Sequence, residues 1–155
     1  CQILGARAVI TSSSEEKLER ARALGAWETV NYKTTPDWDR AVLDLTNRLG
    51  VDHTVEVGGA GTLEKSITAT KVGGSVGLIG VLAGGQINPT LVMRKSIRLQ
   101  GIYVGSRRMF EDMNRAIEHH EMRPVIDETF AFGDARAAYD SMRAAGHFGK
   151  LVVQI

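Results

Sequence analysis

Cysteine, net charge and long apolar runs are all scarce in this sequence of 155 residues. The only cysteine is Cys1, so a disulfide framework is impossible and a reducing, cytoplasmic setting is expected. Nineteen basic and eighteen acidic side chains leave a formal charge of +1, which would not draw the domain onto nucleic acid or an anionic membrane. No apolar run approaches the roughly 20 residues that span a bilayer. We therefore expect neither nucleic acid nor a membrane as a partner.

What is present is the composition of one water-soluble domain, with 43% hydrophobic and 24% charged residues. Glycine is the one unusual type, with 17 residues. Internal repeats and low-complexity segments are absent from the sequence. The composition therefore excludes a fibrous or a disordered chain.

Short apolar segments alternate along the chain with amphipathic segments of about ten residues. The strand at residues 75–82 is predicted to be buried on both faces, because it is almost wholly apolar. This alternation predicts an α/β fold, a doubly wound parallel sheet with helices on both faces. The predicted strands occupy residues 8–10, 29–32, 53–57, 75–82, 97–104, 124–132 and 151–155.

Local signals mark where the helices begin and end. The run Ser13-Ser14-Glu15-Glu16 fits a capping box, and Gly25 is predicted to end the helix that follows. The pair Thr35-Pro36 is predicted to start the second helix, and Ser106 to cap a later one. The side chains predicted to face inward are Leu18, Ala21, Leu24, Trp38, Ala41, Val42, Leu45, Leu49, Leu63, Ile67, Met109, Phe110, Met113, Ala116, Ile117 and His120.

Sheets of this kind bind ligands at the carboxyl ends of their strands. Gly58, Gly80, Gly84 and Gly105 each follow a predicted strand, where the absence of a side chain lets the backbone approach a flat ligand. Ordinary turn formation is the alternative interpretation for each of them, because glycine is a common turn residue.

The glycine-rich fingerprint of dinucleotide-binding folds, G-x-G-x-x-G, is absent. Gly59-Ala60-Gly61 comes nearest, but Glu64 stands at the third glycine position. If residues 1–4 close the first helix, we expect the first strand and its glycine-rich loop to lie upstream. In the strand order 3-2-1-4-5-6 that strand is central, so its loss would leave two unpaired edges. Either the missing strand exists outside this sequence, or another chain covers the gap.

Several segments, taken in order, resemble the cofactor domain of the medium-chain dehydrogenase/reductase superfamily, especially its zinc-type alcohol dehydrogenase and quinone oxidoreductase-like members. The resemblance covers essentially the whole chain and lies in residues 6–18, 23–26, 30–32, 50–59, 73–80 and 146–153. It implies a Rossmann-type doubly wound sheet that is truncated before its second strand. Residues 1–123 would form a partial nucleotide-binding domain, and residues 124–155 would return as strand, helix and strand to a missing catalytic domain.

The resemblance also implies a function. The chain would be the cofactor-binding portion of an NAD(P)H-dependent oxidoreductase that transfers hydride between nicotinamide and a carbonyl, an alcohol, a quinone or another activated double bond. Zinc is possible in the parent enzyme, but this segment would not bind it, and residues 1–155 alone would be inactive. The resemblance implies a homodimer joined near residues 97–104. A non-catalytic nucleotide-binding or structural protein that retains the domain is the alternative.

The choice of cofactor depends on the end of the strand at residues 8–10. An NAD-binding site usually places an acidic residue there, whereas here Thr11-Ser12-Ser13-Ser14 precedes the first acid, Glu15. In NADP-using members of the resembled superfamily a serine, a lysine and a tyrosine contact the 2′-phosphate, and Ser12, Lys17 and Tyr32 match those positions. NADP(H) is therefore favoured over NAD(H). The alternative interpretation is a helix cap, a surface charge and a packed strand end.

Further contacts follow from the resemblance by position. Val57 and Gly58 would border the adenine, and Lys150 would approach the pyrophosphate. The nicotinamide ring would meet Gly80, Val81, Tyr103 and Val104. For the three valines, ordinary packing at a strand end is the alternative, and for Lys150 a surface charge.

The four histidines are not predicted to bind a metal. His119 and His120 are neighbours, whereas two ligands on one helix need a spacing of three or four residues. We expect His119 to be exposed and His120 to be half-buried. His53 and His147 have no cysteine, histidine or carboxylate at ligand spacing.

Overall fold

The predicted alternation of strands and helices is present in the computed structural model, which describes all residues from 1 to 155. The chain divides into two units, Cys1–Val104 and Gly105–Ile155. None of the helices combines the length and apolar character needed to cross a membrane. The predicted division between residues 123 and 124 stays a prediction, because it separates the segment expected to pack on a catalytic domain that this chain does not contain.

The first unit contains five strands and four α-helices after a short 3-10 helix at Gln2–Leu4. Its strands are β1 (Val9–Ser12), β2 (Glu28–Asn31), β3 (Val51–Glu56), β4 (Thr70–Leu78) and β5 (Arg98–Gly101). Its helices are α1 (Glu15–Ala23), α2 (Trp38–Leu45), α3 (Ala60–Ala69) and α4 (Pro89–Arg94).

All strand pairs of the first unit are parallel, as predicted. They form two separate sheets, one with the order β1-β2 and one with the order β3-β4-β5. The predicted break in the sheet is thereby confirmed, since no ladder of hydrogen bonds joins β1 to β3. The prediction that a strand outside this sequence, or another chain, fills the gap between β1 and β3 stays a prediction.

Helix α1 shows how closely local signals specify an element. The predicted capping box makes Ser13 the N-cap. The N-cap in the structure is Ser14, whose Oγ accepts the Lys17 N–H at 3.3 Å. The helix starts one residue late because the Ser14 N–H first donates to Ser12 Oγ at 3.3 Å, which closes a turn. At the other end Gly25 has φ +92° and donates to the Arg22 carbonyl, so the predicted stop is confirmed.

Helix α2 is shorter at both ends than the sequence predicts. Its N-cap is Asp37, because the Thr35 N–H donates to the Asn31 carbonyl at 2.8 Å and keeps residues 31–35 in a turn. The helix ends at Leu45, where Thr46 Oγ1 accepts the Gly50 N–H at 3.0 Å. Leu49, predicted to face inward, is therefore exposed. Leu24, which follows the end of α1, is also half-exposed rather than buried.

Two apolar clusters form the core of the first unit. One joins α3 to β4 and contains Leu63, Ile67, Val76 and Ile97. The other joins β2 to α2 and contains Val30, Val42 and Ala69. Complete burial of an aliphatic side chain stabilises a fold by about 1.5 to 3 kcal/mol, so these clusters hold the helices on the two sheets.

The second unit contains α5 (Arg107–His119), β6 (Ile126–Ala131), a 3-10 helix (Phe132–Asp134), α6 (Ala135–Ala144) and β7 (Lys150–Gln154). Strands β6 and β7 are parallel, and α6 packs on both of them. Ser106 caps α5 as predicted, because its Oγ accepts the Met109 N–H at 3.2 Å.

The inward face predicted for α5 is wrong for this structure. No residue of α5 is fully buried, and of the side chains predicted to face inward only Ala116 and Ile117 are partly buried. Met109, Phe110 and Met113 are about half-exposed, and His120 is exposed rather than half-buried.

Candidate functional site

The carboxyl ends of β1 and β2 bring together three of the predicted site residues. Ser12 ends β1 opposite Asn31 of β2, and the next residue, Tyr32, donates its N–H to the Ser12 carbonyl at 3.0 Å. Lys17 lies in the first turn of α1, which begins after Ser14. Ser12 and Lys17 are half-buried, whereas Tyr32 is exposed. Ser12, Lys17 and Tyr32 therefore lie at the same end of the two-stranded sheet.

Asn31 is a further residue of this region that the sequence analysis missed. Its Nδ2 donates to Glu15 Oε1 at 2.6 Å, and its Oδ1 accepts the Lys33 N–H at 3.0 Å. The second bond is typical of asparagine in a turn and could have been predicted. The first bond could not, because it joins residues in different elements. It ties the carboxylate of Glu15, the first residue of α1, to β2.

Glu15 also lines an open cavity of about 580 Å³ between α1, β2 and α2. Arg22 of α1 and Asp44 of α2 also line this cavity and carry opposite charges. Ser12, Lys17 and Tyr32 do not line this cavity. The cavity is therefore separate from the predicted phosphate contacts.

The chain segments that follow β3 and β4 are in direct backbone contact. We call residues 57–59 the Val57 loop and residues 79–81 the Gly80 loop. A Cβ added to Gly80 would overlap the Val57 carbonyl oxygen and lie 2.8 Å from the Gly59 nitrogen, so only glycine fits there. The side chains of Val57 and Val81 are 69% and 65% exposed, which rules out burial in the core of this unit.

A buried carboxylate lies beneath these loops. Glu56, the last residue of β3, is only 3% exposed. Its Oε1 accepts the N–H groups of Gly58 and Gly59 at 2.6 and 3.0 Å and the Thr62 hydroxyl at 2.7 Å. Its Oε2 accepts the Ser66 hydroxyl.

Glu56 is the main functional candidate that sequence reasoning overlooked. The available signal was an acidic residue near the end of a predicted strand, followed by two glycines and by hydroxyls at positions 62 and 66. Its carboxylate accepts the N–H groups of Gly58 and Gly59 just before α3, and its negative charge at this helix start would repel a phosphate. The Gly59-Ala60-Gly61 fragment is therefore not a phosphate-binding loop in this structure.

Tyr103 and Val104 follow β5 and are 96% and 75% exposed. The Ile102 N–H donates to the Leu78 carbonyl at 2.9 Å, so this segment leaves the sheet beside the end of β4. Gly84, with φ +62° and open space around its Cβ position, is an ordinary turn residue.

Lys150 lies in the second unit, at the start of β7. Its N–H donates to the Val125 carbonyl at 2.8 Å, and its side chain is exposed. Gly149, with φ +106°, permits this approach because a Cβ there would overlap Val125. The local backbone thus fixes the position of Lys150 within its own unit.

The chain contains no group of three or more His, Cys, Asp or Glu side chains arranged to hold a metal ion. Cys1 is free and exposed. His53 Nδ1 lies 2.8 Å from Ser75 Oγ, and the rings of His119 and His120 meet edge to face at 4.9 Å. These contacts are structural pairs and not a zinc-binding set.

Two titratable groups with shifted pKa values lie away from the strand ends just described. A hydrogen bond from the Lys71 ammonium lowers the pKa of the exposed Asp52 carboxyl. Burial lowers the pKa of Lys95. The Lys95 ammonium donates to three carbonyl groups where α3 passes into β4, those of Ile67, Thr68 and Thr70.

Comparison with known proteins agrees with the fold. A family model described as zinc-binding dehydrogenase matches residues 1–119. A zinc-type alcohol dehydrogenase-like protein of Schizosaccharomyces pombe is 40% identical, over 97% of this chain and 45% of that protein. The crystal structure of an NAD-dependent alcohol dehydrogenase is 34% identical, with a TM-score of 0.90, over 99% of this chain and 45% of that chain.

A quinone oxidoreductase structure from Pseudomonas syringae pv. tomato DC3000 is 26% identical, with a TM-score of 0.82, over 98% of this chain and 50% of that chain. The chain thus spans about half the length of the proteins that it matches.

Proposed function

The chain belongs to the zinc-binding dehydrogenase family, and from that premise we propose that it is the cofactor-binding portion of an NAD(P)H-dependent oxidoreductase. The whole enzyme would be an alcohol dehydrogenase or a quinone reductase-like enzyme. The nicotinamide, when bound, supplies or accepts the hydride. The task of this chain is to hold the dinucleotide at a fixed distance and orientation from the substrate.

The contact between the Val57 and Gly80 loops is the observation that carries this proposal. It places two exposed valines at the carboxyl ends of adjacent parallel strands, where sheets of this class bind nucleotides. We assign Val57 and Gly58 to the adenine, and Gly80, Val81, Tyr103 and Val104 to the nicotinamide. Five of these residues are exposed and Gly80 is half-buried, which supports a ligand contact over ordinary core packing.

We further propose that the cofactor is NADP(H) rather than NAD(H), with Ser12, Lys17 and Tyr32 around the 2′-phosphate. A hydroxyl at the end of β1 suits a phosphate, whereas a carboxylate there would repel it. The bond between Asn31 and Glu15 supports this choice because it restrains the first acid that follows β1. One similar structure is that of an NAD-dependent enzyme, so the two cofactors must be compared directly.

The zinc implied by the family name does not fit the residues of this chain, which offer no cluster of donors. In this proposal, zinc and any group that polarises the substrate oxygen belong to the part of the relatives that this chain does not match. Residues 1–155 alone would therefore show no turnover. Lys150 would approach the pyrophosphate, and residues 124–155 would pack against the catalytic domain.

We also propose that the protein is a homodimer of the cytoplasm. Strand β5 pairs only with β4, so its other edge is free to pair with the same strand of a second copy. The lone exposed cysteine suits a reducing compartment. Light scattering of the full-length protein would test the dimer.

Fluorescence titration of the full-length protein with NADPH and NADH tests the proposed function. We expect NADPH to bind about tenfold more tightly, the effect of one charged hydrogen bond. Lys17→Met should remove that difference by weakening NADPH alone. Equal affinities in the unmodified protein would contradict the cofactor choice. Binding without turnover of alcohols, carbonyls or quinones would instead favour a non-catalytic nucleotide-binding protein.

A further inference from the structure

Glu56 connects both loops of the candidate site through two different parts of the same residue. Its carboxylate accepts the Gly58 and Gly59 N–H groups of the Val57 loop. Its main-chain carbonyl accepts the N–H groups of Ile79 and Gly80, at 2.9 and 3.0 Å. Glu56 therefore fixes the positions of both loops relative to the end of β3.

The carboxylate is held by hydrogen bonds alone. Thr62 and Ser66, which lie on successive turns of α3, donate to its two oxygens. All of these donors require an acceptor, and none of the ion pairs in the structure includes Glu56. A buried carboxylate with several donors is rigid, because loss of any partner leaves a polar group unsatisfied in the interior.

The backbone geometry of the loops depends on this anchor. Gly59 has φ +83°, and a Cβ on it would lie 3.0 Å from the Gly80 carbonyl oxygen. This conformation has no capping side chain of its own at the start of α3. The Glu56 carboxylate instead accepts the N–H of Gly59, the residue before the first helical position, and Val57 lies outside the core.

We propose that Glu56 is a positioning residue for dinucleotide binding, which acts by holding the Val57 loop and the Gly80 loop in the spacing that the cofactor requires. The inference rests on the proposed function. Glu56 does not touch the cofactor, because it is buried beneath the loops. Val57 and Val81, by contrast, would contact the cofactor directly.

The test compares Glu56→Gln with Thr62→Val and with Ile67→Val in the full-length protein. Glutamine keeps the size and one acceptor oxygen but replaces the other with an N–H₂ donor. Thr62→Val removes one donor to the carboxylate and keeps the shape. Ile67→Val is the matched control, because Ile67 is fully buried in the same helix and its smaller replacement lowers stability through packing alone.

We expect Glu56→Gln to raise the Kd for NADPH and for NADH by about tenfold and Thr62→Val by about threefold, the range of single hydrogen-bond losses. Ile67→Val should lower Tm and leave both Kd values unchanged. Hydrogen exchange of the Gly58, Gly59 and Gly80 amides should accelerate in Glu56→Gln and stay slow in the control.

An unchanged Kd in Glu56→Gln, with a lowered Tm, would show that Glu56 is merely structural and would overturn the proposal. If Glu56→Gln does not fold, Thr62→Val decides by the same criterion. If the unmodified protein binds neither dinucleotide, the proposed function fails instead, and the exchange rates still report whether Glu56 orders both loops.

Discussion

The Asn31 amide donates to the Glu15 carboxylate at 2.6 Å and holds it against the end of β2. Glu15 is the first acidic residue after β1 and opens α1 two residues before Lys17, so its carboxylate lies in the same helical turn as that predicted 2′-phosphate contact. The position of one carboxylate therefore depends on an uncharged neighbour from another element. The selectivity of the site for NADP(H) would depend on that bond, because a freed carboxylate repels a phosphate.

Asn31→Ala should weaken NADPH binding by about threefold and leave NADH binding unchanged, because a solvent-exposed repulsion is modest and screened. Raising the salt concentration should reduce the difference. The double variant Asn31→Ala, Glu15→Gln is the control, since it also loses the Asn31 side chain but has no charge to release. Equal losses in the single and double variants would contradict the role of Glu15.

Gly80→Ala should destabilise the protein by about 2 kcal/mol or more, because its Cβ would collide with the backbone of the Val57 loop. Denaturant unfolding measures the free energy. Gly61→Ala is the matched control: Gly61 lies in α3 with open space around its Cβ position, so alanine should be neutral or stabilise by up to about 1 kcal/mol. Equal effects of the two substitutions would show that the loops are not in contact.

Lys95→Met should lower the free energy of unfolding by about 1 to 3 kcal/mol, because it leaves the carbonyls at the end of α3 without their donor. Thermal unfolding at pH 7 would measure the loss. Lys71→Met, which breaks an exposed ion pair with Asp52, should lower the free energy of unfolding much less, because solvent screens exposed charges. A Lys95 variant as stable as the Lys71 variant would show that the capping bonds do not form.

The Asp52 carboxyl should titrate below its ordinary pKa of 3.8, because it accepts a hydrogen bond from Lys71. The folded pKa lies below the unfolded one, so the stabilising contribution is present above pH 4 or so and is lost as pH falls through the lowered value. In Lys71→Met the pKa should return to its ordinary value, as followed by carbon NMR of the carboxyl. Lys65→Met, at an unrelated ion pair, should leave the Asp52 titration unchanged.

The sequence by itself determined the alternation of strands and helices, and with it the fold class and family. Gly25 and Ser106 mark a helix end and a helix start that the structure confirms. Such signals are local, because a cap or a stripe of apolar residues acts within one or two turns of the chain. Local signals also placed the candidate residues at the ends of strands, which is where the structure has Ser12, Tyr32 and Val57.

Tertiary structure decided the relationships between residues that lie far apart in sequence. In the sequence, Glu56 is a charged residue near a strand end like several others. Its contact with the loop after β4, whose N–H groups donate to the Glu56 carbonyl, is visible only in the tertiary structure. Gly80 is obligatory only because Val57 passes beside it, and Met109, Phe110 and Met113 of α5 stay exposed although their spacing predicts burial. Burial and close approach depend on which surfaces meet, and no pattern within a single element specifies its partner.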